Sequence, residues 1–229
     1  MKILIPPSEG KSKDNTNNMA FGKTNFAYLN ETKKILEKLS NCDTDLISKI
    51  YGTSIEKSDI QHKENLDLLN KGCSIAIERY SGVVYSNFDF QTLNKSSKAF
   101  SNDHILITSG LLGLVRPNDL IPNYKLKMNA LKLTSFWNPI FTKSLSKEDF
   151  ILDLLPEIHR KSYTSSKSIK INFKFLKGNK FISAGHNGKA IKGKFLRFII
   201  ENKLKDLDEM LKFTQEGFHW DGTAFVKKV

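Results

Sequence analysis

The residues best suited to chemistry lie between Ser109 and Met128, in SGLLGLVRPNDLIPNYKLKM. Arg116 leads directly into Pro117, Asp119 follows, and Pro122 resets the chain before Tyr124 and Lys127. Proline fixes its own φ and pushes the preceding residue towards an extended conformation, so the Arg116 guanidinium rides on a backbone with few alternatives. A forked donor held in this way suits bidentate recognition of phosphate or carboxylate. Asp119 is placed to close a local turn or to pair with Arg116, and in the second case the two staple the loop to the core. Gly113, inside the apolar turn Leu111–Val115, permits close backbone approach.

A second pair lies on the strongest helical pattern. Arg197 and Glu201 are four residues apart and share one helix face. If these residues converge, Arg116 and Arg197 would bind an anion while Asp119, Tyr124 or Glu201 moves protons, which describes an enzyme or a small-ligand site for a phosphorylated or carboxylated compound. PPSEGKSK lacks the GxxxxGK[ST] spacing of an NTP-binding loop, although Ser8 and Lys11 stand at a strand end where they can meet an anion. The five histidines form neither HxxxH nor HExxH. His186 sits in a Gly-rich turn between basic strands. Cys42 and Cys73 have no CxxC partner, so neither a disulfide framework nor a zinc site is indicated, and no cofactor or metal is expected. Phe136 and Trp137 are read as core rather than as a base-stacking platform.

The formal charge is +12, and its distribution is uneven. From Ile158 to Ile200 there is no acidic residue, while Arg160, Lys161, Lys167, Lys170, Lys174, Lys177, Lys180, Lys189, Lys192, Lys194 and Arg197 fall in the same stretch. A one-sign block of this kind draws polyanions, because each neutralised phosphate releases condensed counterions. The alternative is a solvated surface on which lysine is the default polar residue. No run approaches the ~20 apolar residues of a membrane span, and the opening apolar run is too short for a signal-peptide core, so a cytoplasmic protein without a membrane or an obligate protein partner is expected.

Several elements must position these groups. KILI and HILITSG read as buried strands, and Ser74–Ile77, NYKLKM, FILDLL and TAFVKKV as further strands. SIKINFKFL and KFISAGHN alternate basic and apolar residues, giving strands with one lysine-lined face. NETKKILEKLSN predicts a helix capped by Asn30 or Thr32. DTDLISKIYGTS predicts a second, begun by Asp43 or Thr44 and ended near Gly52. IEKSDIQHKENLDLLNKG continues as helix, SFWNPIFTKSLSK adds another, and KGKFLRFIIENKLKDLDEMLKF is the longest. The expected architecture is a single α+β domain, residues 1–229, with a mixed sheet and flanking helices.

SGLLGLVRPNDLIPNYKLKM, FWNPIFT and RFIIENKL, in that order, resemble the signature of the YaaA family of peroxide-stress proteins. ILIPPSEGK, YSGVVY and EGFHWDG extend the similarity over nearly the whole chain. The resemblance implies a compact α+β domain of unusual fold with a helix-hairpin-helix element, a positively charged cleft, DNA binding, and protection against hydrogen peroxide through limited damage and lowered free iron. Arg116, Asp119, Tyr124 and Met128 match the family's RPxDxxxxYxxxM pattern, and Arg197 and Glu201 match its RFIIEN segment. Lys192 stands where relatives carry Arg in an ARG triplet, Lys161 matches a lysine in YFKSV, and Lys127 replaces an acid. The hairpin element falls on LISKIYGTSIEKSDIQ, with Gly52 between Lys49 and Lys57 but no second hairpin glycine. The leading expectation is a largely sequence-independent DNA-binding protein of the peroxide response. Its cleft would be lined by Lys161, Lys189, Lys192, Lys194 and Arg197, with Arg116, Lys49 and Gly52 as further phosphate contacts.

Overall fold

The structure, a computed structural model, describes residues 1–229. Strand β1 (Lys2–Ile5) enters the core at once, and its last three residues are fully buried. A long loop then leads into helices α1 (Leu29–Ser40), α2 (Thr44–Tyr51) and α3 (Ile55–Leu66). Asp43 caps α2 by accepting from the Leu46 N–H at 2.8 Å, and Gly52 ends it in the left-handed conformation at φ 63°. Helix α1 starts at Leu29 without a side-chain cap. Thr32 instead donates to the Tyr28 carbonyl at 3.0 Å and to the Leu111 carbonyl at 3.3 Å, fixing the helix to the turn at 110–112.

Strand β2 is short (Ser74–Ile75), because the chain turns into helix α4 (Ala76–Arg79) where a longer strand was expected. The turn swings Arg79 inward. Its fully buried guanidinium donates to the Ser12 and Asp14 carbonyls (2.7 and 2.9 Å), to Asn15 Oδ1 (2.7 Å) and to the Ile121 carbonyl (3.3 Å). Helices α5 (Val83–Phe88) and α6 (Lys95–His104) follow, then β3 (Ile105–Ser109), β4 (Gly113–Val115) and β5 (Leu120–Ile121). NYKLKM forms no strand. The Asn65 side chain takes both backbone groups of Lys125, at 2.7 and 3.1 Å, in place of a neighbouring strand.

Helix α7 (Leu133–Leu145) buries Trp137, whose indole N–H donates to the Gly110 carbonyl at 2.8 Å. The Trp137 ring packs so close to Gly113, at φ 80°, that a Cβ there would lie 2.8 Å from it. Strand β6 (Ile151–Asp153), helix α8 (Glu157–Arg160) and strand β7 (Ser168–Lys170) complete a five-stranded sheet, ordered β4-β3-β1-β6-β7. Strands β1, β3, β6 and β7 are parallel, and β4 is antiparallel to β3.

A second, four-stranded sheet joins β8 (Phe173–Lys177) and β9 (Lys180–Ser183) to β10 (His219–Trp220) and β11 (Phe225–Lys228). On β8 the expected alternation holds: Phe173 stacks on Phe225 and Phe175 on Phe218, while Lys174 lies over the Phe181 ring. Helix α9 (Gly185–Asn202) begins earlier than expected, so His186 is an exposed residue of its first turn rather than of a loop between strands. It also ends earlier. Lys203 is left-handed at φ 51°, and Leu207 and Leu211 belong to a separate helix, α10 (Leu207–Leu211), capped by Asp206.

Helix α9 crosses α5 at Gly193, where a Cβ would sit 2.3 Å from the Val84 carbonyl and 2.7 Å from Asn87 Cβ. Backbone atoms cannot rotate away, so Gly193→Ala is expected to cost about 3 kcal/mol and lower Tm by roughly 9 °C. Thermal melting of the variant checks this.

Candidate functional site

The polar groups gather where the parallel strands end. Strand β1 is followed along the sheet by β3 on one side, while β6 is followed by β7 on the other. The chain leaves neighbouring strands β1 and β6 in opposite directions, a switch point at whose carboxyl edge a crevice opens. Two hollows occupy that edge, on the two sides of the single-turn helix α8.

The first is a cavity of about 420 Å³ lined by Ser8, Glu9 and Lys11 after β1, by Tyr124–Asn129, and by Ile158 and His159 of α8. The Tyr124 hydroxyl meets those of Tyr80 and Ser109, each at 2.7 Å, and Ser109 Oγ also accepts the Leu112 N–H. Burial pushes the Tyr124 phenol up to about 12 and that of Tyr80 well above its usual range, so both hydroxyls keep their protons. Lys11 lies 4.3 Å from the Tyr124 ring and 5.4 Å from the Tyr80 ring, and donates to the Ser8 carbonyl at 3.0 Å. Burial brings its amine down to about 8, with Lys125 and Arg79 adding repulsion and Glu9 opposing them. Lys125 and Lys127 face Glu9 at 3.7 and 3.9 Å, leaving the cavity net positive.

His159 Nδ1 shares a 2.8 Å hydrogen bond with Thr108 at the end of β3. Burial, reinforced by Lys192, holds its pKa at about 4 against an ordinary value of 6.5. The folded state therefore keeps a neutral imidazole while the unfolded chain protonates. The stability this gives is full above pH 6.5 and is lost as the pH falls towards 4, by up to roughly 3 kcal/mol. Urea unfolding of the wild type and His159→Gln between pH 7 and 4 should show a shallower acid branch in the variant.

The second hollow is an open groove of about 460 Å³ between α8, the β8–β9 hairpin and the first turns of α9. Lys174, Lys189 and Lys192 line it, with Phe181, which is 51% exposed. Arg160 lies at its base, but its charge is spent. It pairs with fully buried Asp153 at 3.2 Å and with Glu157 at 2.6 Å. Asp153 also accepts from Tyr163 (2.6 Å) and from the Leu155 N–H (2.7 Å), so the end of β6 is fixed. Arg160 draws the rim carboxylate of Glu157 below its usual range, with Lys170 and Lys161 adding to the effect, and Lys170 directly precedes Ile171 and Asn172 of the groove lining. Lys192 donates to the Leu154 carbonyl. Burial takes its amine to about 8, with Arg160 and Lys189 lowering it further and Asp153 opposing them.

The residues singled out from sequence fall into separate places. Lys189 and Lys192 line the groove and Tyr124 lies in the neighbouring cavity, whereas Lys161 is an exposed residue at the end of α8 that is not part of the groove lining. Arg116 and Asp119 lie in a different hollow beside Thr24–Phe26, with the guanidinium exposed. Asp119 accepts the Arg116 backbone N–H at 2.7 Å, so the Arg–Pro–x–Asp spacing closes a turn, and burial raises the carboxyl above its usual range. Arg197, Glu201 and Lys194 share a third hollow near the other end of α9. Arg197 pairs with Glu201 at 2.5 Å and Asp89 at 3.5 Å and donates to Thr92 and the Asp89 carbonyl, tying α9 to the segment after α5, while Lys194 pairs with Glu216. Lys49 and Gly52 lie at the exposed α2–α3 corner. The groups not singled out are His159, Asp153, Tyr80 and Arg79, whereas Tyr124 and the strand-end positions of Ser8 and Lys11 pointed to the first cavity.

A family model described as peroxide stress protein YaaA matches residues 1–224. The chain belongs to the YaaA family. It is similar to an uncharacterised protein of Campylobacter jejuni, 33% identical over 92% of this chain and 89% of that one. It also resembles a UPF0246 protein of Rickettsia peacockii, 30% identical over 88% and 85% of the two chains. A UPF0246 protein of Malacoplasma penetrans is 27% identical over 99% of both. The family's description ties the chain to oxidative stress in general terms. No helix is long and apolar enough to cross a membrane.

Proposed function

We propose that the protein is a cytoplasmic DNA-binding member of the peroxide response, holding phosphates of the nucleic acid backbone in the groove between α8 and the β8–β9 hairpin with little sequence preference. One observation carries this reading. Of the basic residues in the acid-free stretch, only Arg160, Lys194 and Arg197 have a carboxylate within 4 Å; Lys161, Lys167, Lys170, Lys174, Lys177, Lys180, Lys189 and Lys192 have none. Unpaired ammonium groups held near one another repel, and a phosphate backbone relieves that repulsion while releasing its counterions. The exposed Phe181 beside Lys174 adds a surface on which a sugar or an unstacked base can rest. Lysines, as point charges without a fixed fork, fit phosphate contact better than base-edge readout.

The α2–α3 corner offers a second phosphate contact. The first-turn N–H groups of α3 are uncapped by the Ser54 side chain, and Gly52 leaves the approach open. Binding of a random-sequence duplex, followed by fluorescence anisotropy from 50 to 300 mM salt, tests the reading. A linear fall of log K with log salt is expected, equal for unrelated sequences. An affinity indifferent to salt, or confined to one sequence, overturns it.

A further inference from the structure

Two lysines flank α8 with their amines drawn out of water, and they are held differently. Lys192, on the groove side, sits on the Leu154 carbonyl close to the charge of Asp153. Lys11, on the cavity side, has no carboxylate within 4 Å, one carbonyl partner at 3.0 Å, and otherwise the faces of two tyrosine rings. Its loop is anchored from below by Arg79, and Ser12, the next residue, donates its N–H to the Arg79 carbonyl at 2.8 Å. The amine is thus fixed in position, short of stabilising partners, and faces a cavity of about 420 Å³ at the switch point of the sheet.

We propose that Lys11 is an imine-forming amine and that this cavity takes a phosphate-bearing aldehyde. The phosphate follows from Lys125 and Lys127, which line the cavity and have only Glu9 between them, at distances too long for hydrogen bonds. The carbon skeleton lies against Met128 and Ile158 on the apolar wall. The neutral Lys11 nitrogen attacks the carbonyl carbon, and the C=O π pair moves onto oxygen, which takes a proton from the Tyr124 hydroxyl. The ammonium nitrogen returns one proton to that phenolate, giving a carbinolamine. The hydroxyl then leaves as water with the remaining N–H proton, and the C=N bond forms. Tyr80 and Ser109, bonded to the Tyr124 oxygen, stabilise it during the exchange.

The groups facing Lys11 are Tyr80 and Arg79 around α4, Tyr124 and Lys125 on the segment after β5, and Glu9 on its own loop. With burial dominating, about a quarter of the amine is neutral at pH 7.5, against about a thousandth for an ordinary lysine. A phosphate-bearing aldehyde has two sources: a free sugar phosphate, or the ring-opened sugar of an abasic site in DNA, whose strand would reach the cavity over α8 from the groove.

The test incubates the full chain with glyceraldehyde 3-phosphate, or separately with a duplex containing one abasic site, in the presence of sodium cyanoborohydride. Reduced adducts are then mapped by peptide mass spectrometry. Lys11 is expected to be the dominant adduct, forming at least tenfold faster than at any other lysine, with a rate that rises with a midpoint near pH 8. Tyr124→Phe should slow it, and Lys11→Arg should remove it. Labelling by the small aldehyde alone assigns a free phosphorylated compound, and labelling by the abasic duplex alone assigns DNA. Adducts spread over surface lysines with Lys11 unmodified in both arms overturn the proposal. The map is read on the wild-type chain, so it does not depend on a variant folding, and the small-aldehyde arm contains no DNA, so failure of the DNA reading leaves it standing.

Discussion

Exchanging Lys170, Lys174 and Lys189 together for glutamine is expected to lower the slope of log K against log salt by about 2.7 and to weaken duplex binding roughly a hundredfold at physiological ionic strength. The slope follows from about 0.9 counterions released per phosphate neutralised, summed over three contacts. The affinity loss is the same quantity carried from 1 M, where the electrostatic contribution vanishes, down to about 0.15 M. None of the three has a carboxylate partner, so their removal orphans no acid, and Lys170 and Lys189 are exposed. Stability should therefore change little. The comparison that isolates the groove is Lys33, Lys34 and Lys63 exchanged for glutamine, three exposed lysines on α1 and the last turn of α3 that carry the same charge change to a part of the molecule away from both proposed contacts. If that variant loses as much affinity as the first, binding follows net charge and not a site.

The acid-free block is legible as chemistry because its partners are missing from the sequence itself; no folding can pair eleven cations with carboxylates that are absent from their own stretch, unless distant ones are brought in. The fold brings in few. Asp89, Glu201, Glu216, Asp153 and Glu157 reach Arg197, Lys194 and Arg160, and the other eight have no carboxylate partner. Strands β1 and β3 were equally legible, since a strand buried on both faces reads as an unbroken apolar run. So was α2, because Asp43 and Gly52 act on backbone groups three or four residues away.

What escaped sequence reading depends on distant segments. The burial that defines Lys11 comes from Tyr80 and Tyr124, in two other parts of the chain, and nothing in PPSEGKSK distinguishes that lysine from an exposed one. His159 looks incidental in EIHRKSY until Thr108, at the end of β3, is set beside it. The break in the last long helix was hidden because Lys203, a residue with no liking for a left-handed conformation, adopts one there. NYKLKM failed as a strand for a related reason. Its alternation was real, but a side-chain amide from Asn65 satisfies the backbone that a neighbouring strand would have paired.

Arg79→Met should cost the most stability of any single change considered. The guanidinium is wholly buried and has no carboxylate partner, so it is held by carbonyl and amide oxygens alone. Such an arrangement repays the desolvation of the charge only while every acceptor is in place, and Nε already lacks one. Methionine fills the volume but leaves the acceptors of Ser12, Asp14 and Asn15 without donors beneath the loop that follows Lys11. Partial rehydration of that loop limits the loss to about 4 kcal/mol, or roughly 12 °C in Tm for a chain of this size. Arg79→Lys should fall between, because one ammonium cannot span the four acceptors that the fork reaches. Hydrogen exchange gives the loop a separate readout: the Ser12 and Asn17 amides, which donate to the Arg79 and Cys73 carbonyls at 2.8 and 2.9 Å, should lose protection first. If Arg79→Met costs less than 1 kcal/mol and leaves those amides protected, the loop is held by something other than the guanidinium, and the fixed position claimed for the Lys11 amine loses its foundation.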